Sequence, residues 1–211
     1  MNARQHGPRD FRITPPANWY LLDLDPATRD ESAAKLVQAR FGGADDPEVE
    51  AARLEFEQLL RTVARRAQQA GVVRAALMDM VVDGVPLSAS LMVVLGTAPR
   101  DEDGNLAADP ETVSRLLLAL GDTAGSAGDG GEPAEAVTLP AGPAVRVRRV
   151  ARGEPTGTGG AAEPTAETRY FVPVPDSDRM LVLTFVTPNV DYRWHFDELF
   201  DRIARTLEWT P

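Results

Sequence analysis

The chain has 211 residues, 43% of them hydrophobic and 26% charged, enough apolar material for one domain with a real core and too much for a disordered polymer. It contains no cysteine, which excludes disulfides, thiolate nucleophiles and thiolate metal sites, and makes the cytoplasm the expected compartment. A formal net charge of −10 argues against nucleic acid or an anionic membrane surface as partner, because both are bound through basic patches.

In chain order, Phe11–Thr14 reads as a short strand closed by Pro15-Pro16, and Trp19–Leu24 as a second strand, apolar but for Asp23. Pro26 suits the first turn of a helix whose apolar residues are Ala33, Leu36, Val37 and Phe41, with Gly42-Gly43 as its stop. A second helix spans Pro47 to Ala70: Val49, Phe56, Leu59, Leu60, Val63 and Ala67 recur at helical spacing, and Arg and Glu fill the remainder.

The period then changes. Val72–Val82 and Val85–Leu95 flank Asp83-Gly84, a dipeptide suited to a two-residue hairpin turn, so the spacing predicts Val82 opposite Val85, Met80 opposite Leu87 and Met78 opposite Ala89. One face of that hairpin is apolar throughout. The other sets Asp79 against Ser88 and Leu77 against Ser90, and is expected to be half polar.

A third helix is expected from Pro110 to Leu120, inside a segment in which nine acidic residues between Asp101 and Glu135 face Arg115 as the single cation. Strands follow at Ala136–Leu139, Ala144–Ala151, Thr168–Val174 and Met180–Thr187, with linker-like, mobile loops near 121–135 and 152–166. A closing helix runs from Asp191 to Leu207, its stripe made of Tyr192, Phe196, Leu199, Phe200, Ile203 and Leu207. The fold class is α+β: one domain over residues 1–211, a largely antiparallel sheet packed with helices as an α/β/α sandwich.

No assembled catalytic constellation, cofactor fingerprint or metal-ligand spacing is present, so no catalytic residue, cofactor or metal is expected. Asp197, Glu198 and Asp201 read as the solvated face of the closing helix. Asp101-Glu102-Asp103-Gly104-Asn105 fails as a calcium loop, since its glycine comes too early and Thr112 stands where the closing glutamate belongs. What remains is a candidate binding surface: Asp79 with Ser88 and Ser90 on the half-polar face, Arg146 and Arg148 in a basic strand stripe with Arg149 and Arg152, and Trp194 with His195 at the last helix. The Arg stripe reads either as an ion-paired strand face or as a dock for an acidic partner, the chain's own acidic loop included. A protein partner fits these features better than a small substrate at Asp79; oligomeric state is not legible.

Several segments in order resemble the PsbP-like fold, which includes the DcrB-like proteins and a yeast Ran-release factor. The first is Phe11-Arg12-Ile13-Thr14-Pro15-Pro16-Ala17-Asn18-Trp19, the second the hairpin ALMDMVVDGVPLSASLMVV, then Pro110–Leu120, TRYFVPVP, and MLVLTFVTP leading to Leu207-Glu208-Trp209. The helices of 26–70 stand as an insertion relative to that pattern, and many relatives carry an export signal that MNARQHGPRDFRITPP does not resemble. The resemblance implies an α/β/α sandwich and a non-catalytic accessory role such as adaptor or chaperone, in some relatives for secretion effectors. It carries over no catalytic residue.

Overall fold

The Asp83-Gly84 turn organises the sheet. In the computed structural model both residues take positive φ, 50° and 81°, as a two-residue hairpin requires. The structure describes residues 10–42, 47–100, 112–113, 134–152 and 164–210. Strands β3 (Val72–Val82) and β4 (Val85–Thr97) pair as the spacing predicts, Val82 with Val85, Met80 with Leu87, Asp79 with Ser88 and Leu77 with Ser90. Around them β2 (Trp19–Leu22), β5 (Glu135–Leu139), β6 (Gly142–Arg152), β7 (Pro164–Pro173) and β8 (Arg179–Thr187) complete a seven-stranded sheet. Its order is β2-β3-β4-β8-β7-β6-β5, and every pairing is antiparallel.

Both faces of this sheet are buried. On one lies α3 (Arg193–Ala204), which inserts Phe196, Phe200 and Ile203 against Met78, Leu91, Tyr170, Leu183 and Phe185. Phe185 stacks on Phe200 with centroids 4.7 Å apart, and Tyr170 meets Phe185 edge-on at 6.0 Å. Over the β2-β3-β4 part of the other face lie α1 (Arg29–Phe41) and α2 (Pro47–Gln69), contributing Ala33, Val37, Leu60 and Ala67. Helical Thr112–Val113 places a fully buried Val113 over Val145 and Met180 farther along that face. The side of the hairpin expected to be half polar is thus a packed interface: Ala75, Leu77, Met92 and Val94 lie under α1 and α2. Asp and Ser occupy its distal end, where the ribbon outruns the helices' apolar stripes.

The structure corrects the sequence reading at several points: the first helix begins at Arg29, leaving Pro26 in the turn before it, and the first two strands end at Arg12 and Leu22. The closing helix stops at Ala204, not Leu207, and the chain leaves it to form β9 (Glu208–Thr210). That strand pairs with β1 (Asp10–Arg12) as a separate two-stranded ribbon, Phe11 opposite Trp209, over the α3 face. Tyr192 is not in the buried stripe; it ends a 3-10 turn, Val190–Tyr192, and is exposed. Leu59 likewise leaves the α2 stripe for the exterior. The loop expected over 152–166 is shorter at both ends, because β6 continues to Arg152 and β7 begins at Pro164, where the two still pair. The remaining part of that loop, the loop of 121–133, most of the 110–120 helix and the acidic residues from Asp101 to Glu132 lie outside the described residues.

Candidate functional site

Alternation along β6 sends Ala144, Arg146 and Arg148 to the α3 face, and pairing sets Arg146 beside Tyr170 and Arg148 beside Thr168. Asp197 and Asp201, one helical turn apart, descend from α3 onto these four side chains. Arg146 donates to both carboxylate oxygens of Asp201 at 2.7 and 2.8 Å and to Glu135 at 2.5 Å. Arg148 lies 3.3 Å from Asp201 and 3.4 Å from Asp197, the Thr168 hydroxyl donates to Asp197 at 2.8 Å, and the Tyr170 hydroxyl donates to Asp201. On the opposite face Arg149 and Arg169 share the buried carboxylate of Glu167.

Electrostatics favour a charged Arg146 and a neutral Tyr170. Burial of Arg146 alone would lower its pKa, but the hydrogen bonds to Glu135 and Asp201 outweigh that and raise it. Burial, and then the hydrogen bond to Asp201, raise the Tyr170 phenol above its usual 10.0. Tyr170 is 1% exposed, so no substrate reaches it. Its chemistry is that of a clamp, fastening α3 to β6 and β7 by charge-assisted bonds. This corrects the reading of Asp197 and Asp201 as solvated: their carboxylates are the counter-charges of the Arg stripe, and Glu198 alone of the three remains at the surface, near Arg202. Of the acidic segment, Glu135 does meet the stripe.

Asp79 is occupied as well. Arg40, at the last turn of α1, lies 2.8 Å from its carboxylate and donates to its carbonyl at 3.2 Å, while stacking over Phe41 and Phe56. Ser88 gives its N–H to Asn189 and its carbonyl to Thr187. A hollow of about 10 Å³ beside Arg148, Glu167, Arg193 and Asp197 holds no more than one water. A groove of about 180 Å³ runs between the β1-β9 ribbon and β2-β3, lined by Phe11, Ile13, Leu21 and Ala76. Neither is lined by Asp79, Ser88 or Ser90.

The remaining expected residues lie elsewhere. Trp194 opens α3 with 62% of its surface exposed and the Arg193 guanidinium over its ring at 4.6 Å; His195 beside it is exposed, and Tyr192 is 41% exposed. Asn189, just before them, accepts from the N–H of Ser88 and donates to the carbonyl of Pro86, so the start of α3 and the hairpin tip share one end of the sheet. At that tip Val81 and Val82 are exposed, Val81 by 65%. The structure thus separates the expected surface into a fastened interior, made of Arg146 and Arg148, a paired Asp79, and an open end with Trp194 and His195. Sequence reasoning missed the carboxylates Asp197 and Asp201 as partners of the stripe, for which the Arg-x-Arg alternation on a half-buried strand was the available signal. It also missed Tyr170 and Thr168, which only the β6-β7 pairing brings beside Arg146 and Arg148.

No protein-family model matches the chain, and no curated protein matches it. Among solved structures it is similar to the crystal structure of LpqN, involved in cell envelope biogenesis of Mycobacterium tuberculosis, with 13% identity, a TM-score of 0.49, and coverage of 97% of this chain and 86% of that one. It is also similar to the solution structure of cyanobacterial PsbP (CyanoP) from Synechocystis sp. PCC 6803, with 14% identity, a TM-score of 0.36, and coverage of 67% and 88%.

Proposed function

We propose that this chain is a non-enzymatic accessory module, an adaptor or chaperone, that binds a protein partner through the end of the sheet carrying Tyr192, Trp194, His195 and the hairpin tip. The observation that carries this reading is the exposure of two neighbouring aromatics at a helix start, in a fold that buries Trp19, Phe196 and Phe200 without difficulty. Exposed aromatic groups leave apolar surface in water, and they are the side chains that dominate binding energy when a partner covers them. The charged groups with the most intimate contacts, around Asp201 and Glu167, are consumed by one another and offer nothing to a reacting substrate. A cytoplasmic setting, expected from the cysteine-free composition, belongs to the same proposal.

Affinity capture from the native source with the wild-type chain and with Trp194→Ala tests it. The expected result is a stoichiometric protein partner whose binding weakens at least about tenfold in the variant, a loss of roughly 1.4 kcal/mol or more. Absence of any partner above background, or equal retention by both baits, contradicts the proposal.

A further inference from the structure

The open edge of β2 is a second and independent surface. Among the described residues no strand lies on its outer side; β2 is short, four residues, but its sequence, Trp19-Tyr20-Leu21-Leu22, carries no charge, no proline and no bulge to block pairing. The contrast with β4 is informative. Where β4 outruns β8, the Asn189 side chain takes the N–H of Ser88 and the carbonyl of Pro86, blocking that edge. Beside the β2 edge lies the groove of about 180 Å³, with Leu21 62% exposed at its side. Sites for small molecules usually measure about 300–1,000 Å³, so this one suits a side chain or two rather than a cofactor.

The charges beside the groove point to the occupant. Arg12 lies 2.6 Å from Glu208, and Arg74 lies 3.7 Å from Asp10, all four more than half exposed. Two cations and two anions around an apolar centre form a self-complementary patch, which an isologous contact requires. On a chain of net charge −10, a locally neutral patch is also where a second copy is least repelled.

We infer that two copies of this chain pair through their β2 strands, antiparallel, joining the two seven-stranded sheets edge to edge. Side-chain alternation restricts the register. Antiparallel partners must share parity, and alternation turns the N–H and C=O of Tyr20 and Leu22 toward Leu77 and Ala75, while the Trp19 N–H is held by Pro16. The outward pair therefore belongs to Leu21, which sets Leu21 opposite Leu21 of the second copy and Tyr20 opposite its Leu22. Each Leu21 then covers the neighbouring groove, and the Arg12 and Arg74 of one copy approach the Glu208 and Asp10 of the other.

Sedimentation velocity over about 2 to 200 μM chain tests the inference. The wild type should pass from monomer to dimer, with the Leu21 amide, which points away from β3, exchanging more slowly as concentration rises. Leu21→Lys, exposed in the monomer and therefore neutral to folding, places two ammonium groups face to face and should weaken dimerisation at least about tenfold. Val81→Lys at the hairpin tip should leave it unchanged, and matched melting curves verify that both variants fold. A wild type that stays monomeric throughout gives the edge to some other partner and overturns the inference. So does a dimer indifferent to Leu21→Lys, or one that Val81→Lys weakens equally.

Discussion

Tyr170 sits where the sheet, α3 and the Arg stripe meet, and its ionisation supplies a clean test of the clamp. Its pKa is raised, first by burial and then by the hydrogen bond to Asp201, while an unfolded tyrosine ionises near its ordinary 10.0. The neutral phenol therefore stabilises the fold fully below that value, and stability falls as pH climbs from it toward the raised folded value. Denaturant unfolding of the wild type should lose up to about 1.4 kcal/mol per pH unit above about pH 10 from this group. Tyr170→Phe should remove that component of the slope; identical slopes in the two proteins would show that Tyr170 is not the group involved. Asp201→Ala strips the acceptor from Tyr170 and a partner from two arginines. Because the Asp201 side chain is 28% exposed and Arg146 keeps Glu135, the expected cost is about 2 kcal/mol, below the 3–5 of a fully buried pair. Thermal unfolding checks it: a melting point unmoved within error would mean the carboxylate is merely solvated.

Elements differ in how openly the sequence declares them. The β3-β4 register was legible from Val82–Val85 as far as Arg74–Val93, because a two-residue turn fixes the pairs that follow until an irregularity between Val72 and Arg74 shifts them by one. Gly84 at φ 81° is the residue that permits the turn. Gly84→Ala should cost about 1 kcal/mol by chemical denaturation, and a neutral result would mean the turn is not held in that conformation. The helices α1 and α2 were legible from their apolar period, although Leu59 shows that spacing alone does not say how wide the buried stripe is. Strand β9 was not legible. Its three residues have no pattern of their own and are strand only because Phe11 lies opposite Trp209 and the Trp209 indole donates to the carbonyl of Ala141 at 2.7 Å. Trp209→Ala should free the β1-β9 ribbon, seen as faster proteolysis on both sides of Asp10–Arg12 with the seven-stranded sheet intact. Equal cleavage of variant and wild type would place the anchor elsewhere. The partners of the Arg stripe were hidden for a related reason: an amphipathic helix shows which face is polar, but not whether that face meets water or another polar surface.

At the scale of the whole molecule, helices cover both faces of one antiparallel sheet, and the strongest polar interactions are turned inward. Most of the large apolar residues are filling, Phe185 and Phe200 foremost. Against that background the start of α3 leaves Tyr192 and Trp194 exposed, and the proposed function assigns Trp194 to a partner. The direct measurement is a paired one on Trp194→Ala, its melting temperature and its affinity for the partner captured by the wild type. The account predicts a melting point within about 2 °C of wild type together with an affinity at least about tenfold weaker. A clear fall in melting temperature with affinity unchanged would make Trp194 part of the fold and contradict the account.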